Sequence, residues 1–331
     1  MLSRKSLWFS TVELEKPEFG AERLKGRSVL SIKGADAEGF LQELTTNDVR
    51  QLEVGPSMFT LFLNGRGRVI HDAIIYKGKD DTFYIDCDIA SVQALQVHMI
   101  MFRARKEVKI KSVEHELATW SIFSPKEAEK YINKCQEEDE PDNICRDEPN
   151  PLDEIELGEN IIVSRDPRIW ALGLRILAPK EMDVIHTIKN LGLKVKAIPN
   201  LYKTIRYKLG IGEGTSEVGY GRCLPAEVNG DYLHGIDVNK GSYIGFVPDV
   251  KKRNVDTRLM PIMVNTVHLG EIPVNTPIED ARGRKKAPVG YLRGLQGSLG
   301  LGLMNVSGAL QYKNVKIGKI LMQVLKPPWW K

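Results

Sequence analysis

Cysteine is scarce in this chain: four in 331 residues, at Cys87, Cys135, Cys145 and Cys223. No two form a Cys-x-x-Cys pair, so neither a disulfide framework nor a zinc knuckle is indicated, and a reducing compartment is the expected setting. Apolar runs are short as well. None approaches the roughly 18–20 residues that a bilayer-spanning helix needs, so no membrane partner is expected. The six histidines are dispersed, with no two at metal-ligand spacing and none beside a nucleophile motif. Gly-x-Ser-x-Gly and the phosphate-binding Gly-x-x-x-x-Gly-Lys run are both missing. "GIGEGTSEVG" has the glycines of a nucleotide loop but follows a helical pattern, which removes the physical basis of that reading. The formal charge is only +4, and basic clusters such as "GRKK" (283–286) lack the interleaved aromatics of a nucleic-acid face. Serine hydrolase, zinc enzyme, nucleotide-binding enzyme and nucleic-acid binder all lose their support.

What is present is an ordinary globular composition, 42% hydrophobic and 27% charged, in a chain long enough for two or three units. "RSVLSIKG" alternates as a strand, and "DAEGFLQELTTNDV" reads as a helix with Asp36 at its N-cap. "SMFTLFLNGRGRVIHDAIIYKG" reads as two strands joined by a tight turn at Asn64-Gly65. "DTFYIDCD" continues the sheet, and "SVQALQVHMIMF" carries Val92, Leu95 and Met99 on one helical stripe. A second set of strands and helices runs from "LATWSIF" to "PNLYKTIRYKLG". It is interrupted near 136–151 by an acidic, Pro-rich stretch that reads as an exposed loop. From Gly210 to Gly245 the chain is glycine-rich and irregular, the signature of an ordered functional loop. After residue 255, short strand candidates separated by Gly, Pro and Asn, with no helical pattern, predict a small all-β barrel of about 75 residues. The expectation is therefore an α+β domain of mixed, largely antiparallel sheets in two sub-halves over 20–254, followed by a β-barrel domain over 255–331.

Three short stretches could carry chemistry. "NGRGRVIHD" presents Arg66 and Arg68 on a turn and Asp72 on the following strand; on local grounds it reads first as a solvated turn. "CLPAEVNG" sets Glu227 and Asn229 after a proline. "NKGSYIG" brackets Ser242 and Tyr243 between Gly241 and Gly245, with Lys240 leading; two glycines so close rarely serve a strand. A carboxylate, an amide and a lysine from one loop suit a flat heterocycle with an anionic tail. A self-satisfied loop network is the competing reading.

Taken in order, these stretches resemble the folate-binding family of the glycine-cleavage T-protein, and more closely its YgfZ-type branch, which includes mitochondrial iron–sulfur cluster assembly factors. "FLNGRGRVIHD" is similar to the family's Asn-x-x-Gly-x-x-x-x-Asp element at Asn64, Gly67 and Asp72. "IRYKLGIGEG" resembles its Arg-x-x-x-Gly helix end at Arg206 and Gly210, and "LPAEVN" its Pro-x-Glu-x-Asn at Pro225, Glu227 and Asn229. "NKGSYIG" resembles the signature Lys-Gly-Cys-Tyr-x-Gly-Gln-Glu, and the closing "PPWW" is similar to that of the mitochondrial members. Two departures stand out: Ser242 occupies the cysteine position, and Phe246-Val247 replaces Gln-Glu. A third is Lys208, at the step where the catalytic aminomethyltransferase has a glutamate implied to hold the pterin.

The resemblance implies a T-protein-like folate-binding domain and an iron–sulfur cluster assembly factor that assists four-iron four-sulfur clients and is not itself an enzyme. Its implied ligand is tetrahydrofolate, at Asn64, Arg66, Asp72, Arg206, Glu227, Asn229, Lys240 and Tyr243, with no metal held by this chain alone. The implied partners are iron–sulfur scaffold or assembly proteins and client apo-enzymes, and the implied location is the mitochondrial matrix. "MLSRKSLWFS" reads either as the remnant of a mitochondrial presequence or as an unstructured N-terminus. Two rival functions stay open: a folate-dependent aminomethyl transferase, and a folate-binding accessory protein linked to tRNA modification.

Overall fold

The computed structural model describes residues 19–53, 56–137, 157–158, 160–246, 255–265, 270–284 and 286–330. The candidate presequence and nearly all of the acidic stretch, from residue 138, lie outside them. Two five-stranded sheets form the larger domain. The first runs β3 (Ser57–Leu63), β4 (Val69–Lys77), β5 (Thr82–Asp88), β2 (Arg27–Lys33), β6 (Lys109–Ser112), antiparallel throughout. The second runs β10 (Val195–Ala197), β1 (Phe19–Arg23), β7 (Leu117–Phe123), β9 (Leu174–Pro179), β8 (Ile162–Arg165), with only the β1–β10 pair parallel.

Period-two alternation explains how the sheets stack. On β5, Phe83, Ile85 and Cys87 join Phe40, Leu41 and Leu44 of α1 (Ala37–Leu44) and Leu95 and Met99 of α2 (Val92–Arg103) in one outer core. The second sheet buries Ile122, Ile176 and Ala178 against Val184 and Ile188 of α4 (Val184–Asn190). Between the sheets, Val29, Ile74 and Tyr76 of the first meet Phe123 and Leu177 of the second. The result is a helix–sheet–sheet–helix stack, its inner layer shared with α3 (Pro125–Glu137), α5 (Leu201–Leu209) and the short α6 (Thr215–Val218). The stripe of Val92, Leu95 and Met99 is the buried face of α2, as its spacing predicts.

Two local expectations are corrected. Asp36 sits at the N-cap position, but its carboxylate accepts from Glu107 N at 2.7 Å, tying α1 to the α2–β6 connection. The β3–β4 hairpin is not closed by a two-residue Asn-Gly turn. Residues 64–68 form a longer one, in which Asn64 Oδ1 accepts from Arg66 N and Arg68 N while Gly67 takes the left-handed conformation.

The C-terminal unit is a closed six-stranded barrel in the order β11 (Thr257–Val264), β14 (Leu299–Asn305), β13 (Gly290–Gln296), β12 (Pro277–Asp280), β15 (Asn314–Ile317), β16 (Ile320–Val324). Closure removes exposed sheet edges. One helix, α7 (Val306–Tyr312), was not expected; Asn305 caps it by accepting from Gly308 N. The stretch "ALQYKNVKIGKILMQVL" (309–325) is the end of α7 followed by a β15–β16 hairpin turning at Gly318.

The barrel is fastened to the larger domain. Trp329 Nε1 donates to Leu209 O at 2.7 Å, and Asn229 Nδ2 donates to Leu259 O at 2.9 Å. Gly294 leaves room for the Tyr207 hydroxyl, which a methyl group there would overlap.

Candidate functional site

Seven charged side chains meet between the two sheets. Arg27 of β2 donates from Nε to Asp86 Oδ1 (2.7 Å) and from Nη1 to Asp72 Oδ2 (3.0 Å). Arg175 of β9 donates from Nη1 to Asp86 Oδ2 (3.1 Å), from Nε to Asp166 Oδ2 (3.3 Å), and from Nη2 to Glu213. Arg168 grips Asp166 with Nε and Nη2 at 2.9 and 2.7 Å, and its Nη1 lies 2.9 Å from Glu213. Tyr202 of α5 accepts from both Arg168 and Arg175 at 2.8 Å. Beside this cluster, Arg206 Nη1 donates to Glu217 Oε2 at 2.8 Å.

Burial sets the electrostatics. It would raise Glu213, yet Arg175, Arg168 and Arg206 together hold that carboxyl well below the usual range. For Asp86 burial outweighs Arg27 and Arg175, and its pKa rises. The loop after α5 is drawn into the same frame: Gly214 N donates to Asp72 Oδ1 at 3.0 Å, and Thr215 donates from N and Oγ1 to Asp88 Oδ2.

A second assembly lies at the surface, where the glycine-rich loop crosses the β3–β4 hairpin. Gly245, left-handed at φ +78°, packs so close to Asn64 O and Leu63 Cβ that any side chain there would collide. Lys240 Nζ donates inward to Thr45 O (2.6 Å) and Asn47 O (2.8 Å), and lies 5.1 Å from the Tyr243 ring centroid. Ile244 N donates to Glu43 O and Asp237 N to Thr46 O, fixing both ends of the loop. Ser242 is exposed on top of it.

The eight candidate binding residues therefore fall into three groups. Asn64 and Arg66 form the hairpin turn, against which Gly245 of the loop that carries Lys240 and Tyr243 packs. Asp72 and Arg206 are interior, closed by Arg27, Gly214 and Glu217. Glu227 and Asn229 stand at the domain junction: Glu227 Oε2 accepts from Leu224 N at 2.6 Å and lies 3.6 Å from Arg68, while Asn229 is fully buried. Arg27, Asp86, Asp166, Arg168, Arg175, Glu213 and Tyr202 were missed. The available signal was a charge at an inward position of an apolar strand, as in "TFYIDCD" and "ALGLRILAP".

Comparison with known proteins fits this geometry. Residues 27–144 match the GCVT N-terminal domain, and residues 257–331 match the CAF17 C-terminal beta-barrel domain. The chain is 27% identical to the mitochondrial iron–sulfur cluster assembly factor IBA57 of Mus musculus, across 93% of this chain and 84% of that protein. It is 26% identical to the human protein of that name, with the same coverage. The chain thus carries a match to each of these two domains and is similar along most of its length to proteins named as assembly factors. Its fold is also that of the glycine cleavage system aminomethyltransferase T of Bartonella henselae, with TM-score 0.69 at 15% identity over 95% of this chain and 87% of that one.

Tetrahydrofolate, the ligand the family resemblance implies, needs free acceptors for its pterin N–H donors. Both Asp72 oxygens are taken, and Glu213 and Glu217 are committed to arginines. Glu227 is the carboxylate of the candidate set that keeps an oxygen, Oε1, without a hydrogen-bond partner among the described residues, and its side chain is 19% exposed. The residues present suit the ligand at this junction and not in the interior.

Two outcomes are expected. Arg175→Met should cost about 3–5 kcal/mol, because it leaves Asp86, Asp166 and Glu213 buried with less counter-charge; urea unfolding measures it, and a loss below about 1 kcal/mol would show the cluster to be dispensable. Lys240 should titrate early, since burial pushes its ammonium down to about 8. An unfolded lysine titrates near 10.4, so the unfolded state holds more protons between these values and stability rises with pH across that window. The neutral amine retains two N–H donors for Thr45 and Asn47. A ¹³Cε titration should show the low midpoint, and a midpoint above about 10 would contradict it.

Proposed function

We propose that this chain is a mitochondrial assembly factor for iron–sulfur proteins, helping to mature four-iron four-sulfur clients and turning over no substrate of its own. The observation that carries the reading is the co-linear likeness to proteins named as such factors, which spans both domains and 93% of the chain. Its partners are iron–sulfur scaffold or assembly proteins and client apo-enzymes, met at the surface loop. That loop suits contact with another protein, because it is pinned at Lys240, Ile244 and Gly245 while Ser242 faces solvent. The aminomethyl transferase reading draws only on the shared fold. Lys208, half-buried on α5, puts a cation where that reaction's pterin-holding carboxylate is implied.

Ser242 defines the first test. Cluster ligation and thiol exchange run through a soft thiolate, and a serine hydroxyl supplies neither. Ser242→Cys should leave the melting temperature unchanged and add a solvent-accessible alkylation site, since Cys87, Cys135 and Cys223 are buried. It should also raise the activity of a four-iron four-sulfur enzyme in cells lacking the protein. Equal rescue by the serine chain would mean that the loop works by shape and by Lys240.

Tetrahydrofolate enters as a ligand of the junction, with Glu227 taking pterin donors and Arg66 and Arg68 the anionic tail. Ligand at about 100 times its dissociation constant should add roughly 2.7 kcal/mol to stability, and Glu227→Gln should remove most of that gain. No thermal shift at millimolar ligand would remove folate from the reading and leave the assembly role intact.

A further inference from the structure

Helix α2 carries apolar side chains on both faces, with Gln93 exposed on the outer one. From Ile89 to Phe102 the chain carries no Asp, Glu, Lys or Arg. Its inner stripe of Val92, Leu95 and Met99 is buried on the first sheet. The outer stripe is bare: Val97 is 57% exposed, Ile100 48% and Met101 73%, with Phe102 and Ile89 also open to solvent. A contiguous exposed apolar patch marks an interaction site. The unbranched Met101 side chain suits a surface that must adapt to another.

Charge beside the stripe identifies the occupant. The chain leaves α2 as "RARKEVKIK" (103–111), five cations to one acid. Lys106 is paired with Glu43 and Lys111 with Glu116. Arg103, Arg105 and Lys109 are exposed and form no ion pair among the described residues. A second copy of this chain offers no match. Paired antiparallel, its α2 would bring the opposite end, where Asp88 is already committed to Ala90 N and Thr215; paired in parallel, cations would meet cations. A lipid surface is matched by cations spread along a helix, whereas here they gather past one end.

We propose that the outer face of α2 docks an acidic protein partner. Its apolar side chains cover Val97, Ile100 and Met101, and its carboxylates meet Arg103, Arg105 and Lys109. The proposal depends neither on Ser242 nor on folate, so its test is separate from theirs. A benzophenone amino acid placed at Val97 or Met101 in the full chain, irradiated inside the organelle, should crosslink one protein, through a peptide in which apolar residues adjoin Asp or Glu. Arg103→Glu with Arg105→Glu should lower the yield about tenfold, and lysine at the partner's crosslinked carboxylates should restore it. Four results would overturn the proposal: crosslinking to a second copy, crosslinking unaffected by charge reversal, a yield no higher than from the exposed barrel position Lys319, or co-sedimentation with phosphatidylcholine–phosphatidylglycerol vesicles that Met101→Glu abolishes.

Discussion

Arg175 touches three carboxylates, and each belongs to a different piece of chain: Asp86 to β5, Asp166 to the segment after β8, Glu213 to the loop after α5. Removing these charges from water is expensive, and the expense is recovered only if every partner is in place. The guanidinium therefore acts as a geometric condition on the fold. It requires the first sheet, the second sheet and the glycine-rich loop to meet at one point, and a shift of one residue in β5 or β9 would turn the charge to the opposite face. The cluster with its neighbours sets four arginines, 27, 168, 175 and 206, against five carboxylates at 72, 86, 166, 213 and 217. Burial raises the pKa of Asp86, and the neighbouring Glu213 adds to the rise.

The outer loop inherits its rigidity from this centre. Asp72 and Asp88 hold the start of the loop at Gly214 and Thr215, and Asn229 and Glu227 hold its middle against β11. By the time the chain reaches Lys240 only short spans are unpinned. The Lys240 ammonium, facing two backbone carbonyls, closes one of them, and the contact of Gly245 with Asn64 closes the next. A side chain presented from such a loop has its position set by the whole domain.

Much of this architecture was legible in the sequence, because alternation and helical spacing record which face is buried. The outer core on α1 and α2 and the sheets follow from those periods, and the barrel from the spacing of its turn residues. Partner choice is a different kind of information. Arg27 meets Asp86 across 59 residues and Lys240 meets Thr45 across 195, and a local pattern that marks a charge as inward does not say which distant group it meets. Asp36 illustrates the reverse error. Its sequence context is that of a helix cap, yet a backbone N–H from Glu107 competes for the carboxylate and wins. The helix α7 escaped notice because seven residues between strands are too few to establish a period.

Displaced pKa values are often a guide to catalysis, but here they trace the frame. Asp86, Glu213, Tyr202 and Tyr76 are displaced because they are buried among one another's charges, and His71, pushed down to about 4 by burial, stays neutral beneath the surface. Each is paired or enclosed, and a group so held has no open position at which to meet a reacting atom. Lys240 differs in being only half-buried and within reach of the exposed loop, yet both its strong contacts are to backbone carbonyls on the inner side. Its displacement therefore reports how firmly the loop is seated. The displaced groups of this molecule are thus spent on holding the frame and its loop still.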